Sequence, residues 1–164
     1  MGMLYEYLAR DHERLDDLLE RSVTEQGKID MKAYADFRQG LLKHIGIEEK
    51  IILPAIARLQ NGKQAEVAAR LRLDHGALVA LMVPSPTTQI VATIRSILRV
   101  HNALEEKEGG LYQLIEQLAG SEADDLLKKV RNYPEVPVNP YNDRPVVFDA
   151  ARRAVERAGY KAMF

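Results

Sequence analysis

His44-Ile45-Gly46-Ile47-Glu48-Glu49-Lys50 and His101-Asn102-Ala103-Leu104-Glu105-Glu106-Lys107 share one form, H-x-x-x-E-E-K. In each copy the histidine and the first glutamate are one helical turn apart, so a helix presents them on a single face. Neighbouring residues say which face it is. Phe37, Leu41, Ile51 and Ile52 surround the first copy, and Ile94, Ile97 and Leu98 lead into the second. Upstream of each copy stands a second shared form, D-H-x-x-L: Asp11-His12-Glu13-Arg14-Leu15 and Asp74-His75-Gly76-Ala77-Leu78. His12 falls between Leu8 and Leu15, and His75 between Leu71 and Leu78. The two forms together use all four histidines of the chain, and all four point to the apolar side.

Outward from these motifs a 3.6-residue period dominates and strand-like alternation is nearly absent. The pattern predicts a first helix over 3–24, broken by Gly27. A second is N-capped by Asp30 and runs to Asn61-Gly62, with Pro54 forcing a kink or local rearrangement in its last third. A third covers 64–82, ended by Pro84 and Pro86. A fourth runs from Thr87 or Thr88 towards Leu118, weakened midway by Gly109-Gly110. Ser121 is expected to cap a short segment over 122–131. The expected fold is all-α, an antiparallel up-down four-helix bundle over residues 1–132. Residues 133–164 form a second region: a Pro-rich strap from Tyr133, then a short amphipathic helix over 146–159 that docks on the bundle or on a partner.

Composition narrows the function classes. The chain of 164 residues balances 23 basic against 24 acidic side chains, which leaves no electrostatic footprint for nucleic acid or an anionic membrane. It has no cysteine, so disulfides, thiolate metal sites and cysteine nucleophiles are excluded. No apolar run is long enough to span a membrane, and the start lacks the basic and apolar regions of a secretory signal. Glu6 stands where a myristoylation motif needs Ser or Thr. A soluble, cytoplasmic protein is expected.

Burying four imidazoles and two carboxylates without partners costs several kcal/mol per group, on the order of a lost buried charge. Cations between the helices remove that cost. The candidate metal ligands are His12, His44, Glu48, His75, His101 and Glu105. A glutamate can bridge two metals through its two oxygens, so each half of the repeat supplies two histidines and one bridging carboxylate. With an oxo or hydroxo bridge, two octahedral ions still keep about two positions open, unlike a closed structural site. That donor set favours iron, with manganese or zinc as substitutes. Asp11 and Asp74 read as surface charges, with orientation of a histidine as the alternative; Glu49, Glu106, Lys50 and Lys107 read as solvated. Tyr7, Tyr34 and Tyr112 read as core or rim residues.

The set His12, His44-x3-Glu48, His75 and His101-x3-Glu105, with Pro54 after the acidic pair of the second helix, resembles the hemerythrin-like HHE cation-binding domain. The resemblance covers residues 3 to 120. It implies a four-helix bundle around a non-haem di-iron centre and a small ligand such as O2, NO or peroxide. It differs from the oxygen-carrying members in having Leu71 and Val79, not a second histidine, one turn from His75. Glu105, four residues after His101, replaces their more widely spaced aspartate. The first functional reading is a di-iron module that senses or handles O2, NO, peroxide or iron, with the tail contacting a second copy or a protein partner. The alternatives are a di-iron oxidase, peroxidase or NO reductase, and a metal-free helical interaction module.

Overall fold

The apolar stripes of the sequence become the inner faces of helices. A computed structural model describes residues 2–164 and contains eight α-helices: α1 (Met3–Arg21), α2 (Met31–Ile47), α3 (Leu53–Leu59), α4 (Ala68–Leu81), α5 (Thr88–Glu106), α6 (Leu111–Ala119), α7 (Ala123–Arg131) and α8 (Pro145–Arg157). The extended pairing among the described residues is one isolated antiparallel bridge, Val23 with Ile29, in the turn that carries Gly27. No described helix is long and apolar enough to cross a membrane.

The local signals explain most of the boundaries. Asp30 accepts the backbone N–H groups of Lys32 and Ala33 and starts α2. Thr87 accepts that of Ile90 and starts α5. Pro145 stands in the first turn of α8, where a missing N–H costs nothing. At Pro54 the chain rearranges as its position requires. Residues Glu48–Ile52 widen into a π-helical turn, in which Leu53 N–H reaches back to Glu48 O. The wider turn moves the carbonyls away from the proline ring, and α3 begins there.

Three expectations are corrected. The fourth helix is not merely weakened at Gly109-Gly110; it stops at Glu106 and restarts as α6. Gly109 has φ +74°, and a Cβ on Gly110 would lie 2.7 Å from the carbonyl oxygens of Leu104 and Glu105. This pair of residues makes a tight reversal that a side chain would obstruct. Ser121 does not cap α7; it lies inside a 3-10 turn, Gly120–Glu122, that leads into it. The third long helix starts at Ala68, with turns before it.

Residues 133–144 have no regular secondary structure. They lie against the bundle through named contacts. Arg38 donates to Met82 O at 2.8 Å and lies 4.2 Å from the ring centre of Tyr141. Asn142 N–H donates to Val83 O, and Asp143 accepts both the N–H and the hydroxyl of Ser85. Helix α8 then packs on α4 with Ala151 and Val155 fully buried. Of the two destinations left open for the tail, this one is the bundle itself.

The core is in two pieces. One cluster joins Leu15, Leu19, Phe37, Leu41, Leu78, Leu81, Ile94 and Ile97. The other joins Leu4, Leu8, Ile47, Ile52, Leu71, Tyr112 and Ile115. A polar layer lies between them.

Candidate metal centre

The polar layer follows from register. In α1 the buried residues run Leu4, Leu8, His12, Leu15 and Leu19, so His12 replaces one apolar residue in the stripe. His44 in α2, His75 in α4 and His101 in α5 do the same in theirs. All four histidines are at most 4% exposed, and Glu48 and Glu105 are fully buried. The structure brings the six candidate residues together as two sets. His12, His44, Glu48 and Glu105 each place a donor atom within 4.8 Å of the others, and so do Glu48, His75, His101 and Glu105.

The carboxylates divide their oxygens between the sets. Glu48 Oε1 lies 3.0 Å from His44 Nε2, and Glu48 Oε2 lies 3.0 Å from His75 Nε2. Glu105 Oε2 lies 3.1 Å from His12 Nε2, and Glu105 Oε1 lies 2.9 Å from His101 Nε2. Each glutamate therefore faces a histidine pair with each oxygen, the geometry of a carboxylate shared by two ions. The pairs themselves are close, with ring centres 4.7 Å apart for His12 and His44 and 4.9 Å for His75 and His101.

The other nitrogen of every ring meets a second carboxylate. For Asp11 and Asp74 the alternative, orientation of a histidine, replaces the surface charge, and Glu49 and Glu106 are partly buried rather than simply solvated. Asp11 Oδ2 lies 2.8 Å from His44 Nδ1, and Asp74 Oδ2 lies 3.2 Å from His101 Nδ1. Glu49 Oε1 lies 2.7 Å from His75 Nδ1, and Glu106 pairs with His12 Nδ1. The aspartate before one histidine thus serves the histidine of the next helix, and the second glutamate of each pair serves a histidine across the bundle. Nδ1–H donation to these oxygens turns every Nε2 inward and fixes the tautomer a metal ligand needs. Asp74 is fully buried, and the Asp11, Glu49 and Glu106 side chains are 20%, 28% and 37% exposed. Lys50 and Lys107 are exposed, as expected.

Tyr112 is the residue that sequence reasoning missed. Its hydroxyl lies 2.6 Å from Glu48 Oε1, 3.0 Å from Glu105 Oε2, 2.9 Å from His12 Nε2 and 3.0 Å from His44 Nε2. It comes from α6, after the Gly109-Gly110 turn. The available signal is its place seven residues after Glu105, two turns along the same face of an uninterrupted helix. A broken helix hides that relation.

Counting donors tests whether cations belong here. With neutral histidines, inward nitrogens and carboxylate oxygens are all acceptors, and the Tyr112 hydroxyl offers them one proton. Glu105 Oε1 is buried and receives no hydrogen bond, although His101 Nε2 is 2.9 Å away. Positive charge has to enter, as protons or as metal. Burial pulls the His44 imidazole down, yet Glu48 and Asp11 outweigh it and hold it up at about 10. Burial likewise opposes charge on His12, His75 and His101, and their carboxylates raise all of them above the ordinary imidazole range. Burial pushes Glu48 and Glu105 up, and the histidines reverse this and keep both ionised. Tyr112 is raised well above its ordinary value by burial and by Glu105 and Glu48. Four imidazolium protons carry the same charge as two divalent cations, so the donor set fits a pair of such ions.

A family model described as the hemerythrin HHE cation binding domain matches residues 3–108. It spans both copies of the repeat and ends before Tyr112. No curated protein and no solved structure matches the chain.

Proposed function

As the chain belongs to the hemerythrin HHE cation-binding family, we propose that it holds two iron ions and uses them to sense or handle O2, NO, peroxide or iron. The observation that carries this reading is the division of Glu48 and Glu105 between two histidine pairs. In it His12 and His44 hold one ion, His75 and His101 hold the other, and the glutamates are shared. Iron bound there supplies a reversible one-electron change and a coordination position for a small ligand.

The chain's own groups prepare the site. Asp11, Glu106, Glu49 and Asp74 hold the rings by Nδ1–H, so the Nε2 lone pairs stay aimed inward. Glu49 and Glu106 are the most exposed members of that set, with side chains 28% and 37% open to solvent. The two apolar clusters close the layer above and below and keep bulk water from the donors. A cleft of about 560 Å³, lined by His12, Asp16, Arg95, Arg99, Asn102 and Glu106, brings solvent to the outer edge of the layer.

Reconstitution with Fe(II) under argon tests the reading. We expect two irons per chain and a change in the visible spectrum on exposure to O2 or NO, with stoichiometric consumption. Sustained turnover of peroxide or NO would replace sensing by an enzymatic role at the same site. A protein that retains no iron, manganese or zinc sinks the metal reading.

A further inference from the structure

We infer that Tyr112 is a seventh metal-binding residue: its phenolic oxygen coordinates the ion held by His12 and His44, leaving the open position on the ion held by His75 and His101. The inference rests on the two-ion reading above.

The four atoms around the Tyr112 hydroxyl are His12 Nε2, His44 Nε2, Glu48 Oε1 and Glu105 Oε2, at 2.6 to 3.0 Å. These are the donor atoms of one set and none of the other. The hydroxyl therefore stands inside the polyhedron that an ion between His12 and His44 would occupy. When the ion enters, the oxygen must either withdraw or bind. Withdrawal beyond bonding distance is blocked. The Tyr112 ring is fully buried. Tyr5 packs edge-on against it with ring centres 5.9 Å apart, and the Tyr5 hydroxyl donates to Glu106 O. The backbone behind it is fixed by the Gly110 turn, which lies against the carbonyls of Leu104 and Glu105. An ion seated among the four donors displaces the oxygen by about one metal–oxygen bond, roughly 2.0–2.2 Å, which leaves it as a ligand.

The same reasoning makes the site unequal. No described tyrosine stands among the donors of His75 and His101. The two ions have the same histidine and glutamate ligands, and one has an additional oxygen donor. Exogenous ligand is then directed to the ion with fewer protein donors.

The test compares the wild-type protein with Tyr112→Phe, each loaded with Fe(II) and oxidised to the ferric state. A phenolate on ferric iron gives a broad visible charge-transfer band whose excitation enhances tyrosine ring vibrations in the Raman spectrum. We expect that band in the wild type, with ring modes that shift when ring-deuterated tyrosine is incorporated. In Tyr112→Phe the band disappears, one iron is held about tenfold more weakly, and azide binds two per chain where the wild type binds one. If wild type and variant both hold two irons with the same visible spectrum, the inference is overturned and the two-ion reading stands. If the wild type holds no metal, both fail. Should Tyr112→Phe not fold, the isotope shift in the wild type decides alone: iron retained without tyrosine modes overturns the assignment.

Discussion

The α1–α2 half and the α4–α5 half carry the same letters and are finished differently. Both place a histidine and an acidic pair one turn apart on a second helix, and both send an aspartate to the ring on that helix. In the first half the helix continues past Glu48-Glu49 through a π turn into α3, and Tyr112 closes on the histidines. In the second half the helix ends at Glu106, no described tyrosine arrives, and α8 covers α4 from outside. The outer aspartates differ too: Asp11 keeps a fifth of its side-chain surface, whereas Asp74 has none and sits beside Arg70, whose guanidinium lies 5.0 Å from the ring centre of Tyr160. A repeat thus fixes which atoms converge, and the segments outside it fix how the two results differ.

The glutamates belong to both halves, so their loss should be felt most widely. Glu48→Gln is expected to release both ions and, because binding free energy becomes folding free energy, to lower the melting temperature of the loaded protein by roughly 10 °C. His44→Gln and His101→Gln should each leave one ion in place. Metal analysis and thermal melting check this, and a single-histidine variant that loses both ions would show that the halves cannot be filled separately.

Protonation offers a second measurement. His44, raised from 6.5 to about 10 in the metal-free fold, stabilises that fold fully below pH 6.5 and loses the contribution as pH rises through about 10. Glu48, held well below 4.5, contributes above that value and loses its contribution as pH falls through its lowered range. Metal-stripped protein should therefore melt highest between about pH 4.5 and 6.5 and lower towards pH 10, while metal affinity rises over the same span. Calorimetry in buffers of different ionisation enthalpy at pH 6 should count about four protons released as two divalent ions bind. Affinity that is flat from pH 6 to 8 would contradict this assignment.

The outer carboxylates sharpen the contrast between halves. Asp74→Asn should weaken the His75–His101 ion by about 10–100-fold, and Asp11→Asn should weaken its neighbour less, because water can replace part of what Asp11 supplies. Equal losses would mean that burial of the aspartate does not matter. At the bottom of the scale, Lys50→Ala and Lys107→Ala should each stay within about 0.5 kcal/mol of wild-type stability with unchanged metal content, although lysine is part of the repeated letters.

The long helices and the inward turn of the six donors were legible in sequence because a 3.6-residue stripe with a histidine inside it has one physical reading. The outer carboxylates were legible only in part, as the second reading of Asp11 and Asp74. Asp11 and Asp74 are one residue from an inward histidine and point sideways, towards the next helix, a direction that single-helix periodicity does not describe. Glu49 and Glu106 likewise reach across the bundle. Tyr112 escaped for a different reason, since it depends on how two glycines redirect the chain after Glu106.

The π turn has a consequence for what this helix can lose. In an α-helix each residue advances the phase by about 100°, so a deletion swings everything downstream to another face. Between Glu48 and Ile52 the chain already holds one residue more than an α-helical turn would, and removing Lys50 there would leave Leu53 and Ile56 facing inward as before. The shortened helix would instead press the ring of Pro54 onto the carbonyl four positions back and draw Glu49 off His75. The extra residue and the proline therefore compensate each other within this one helix.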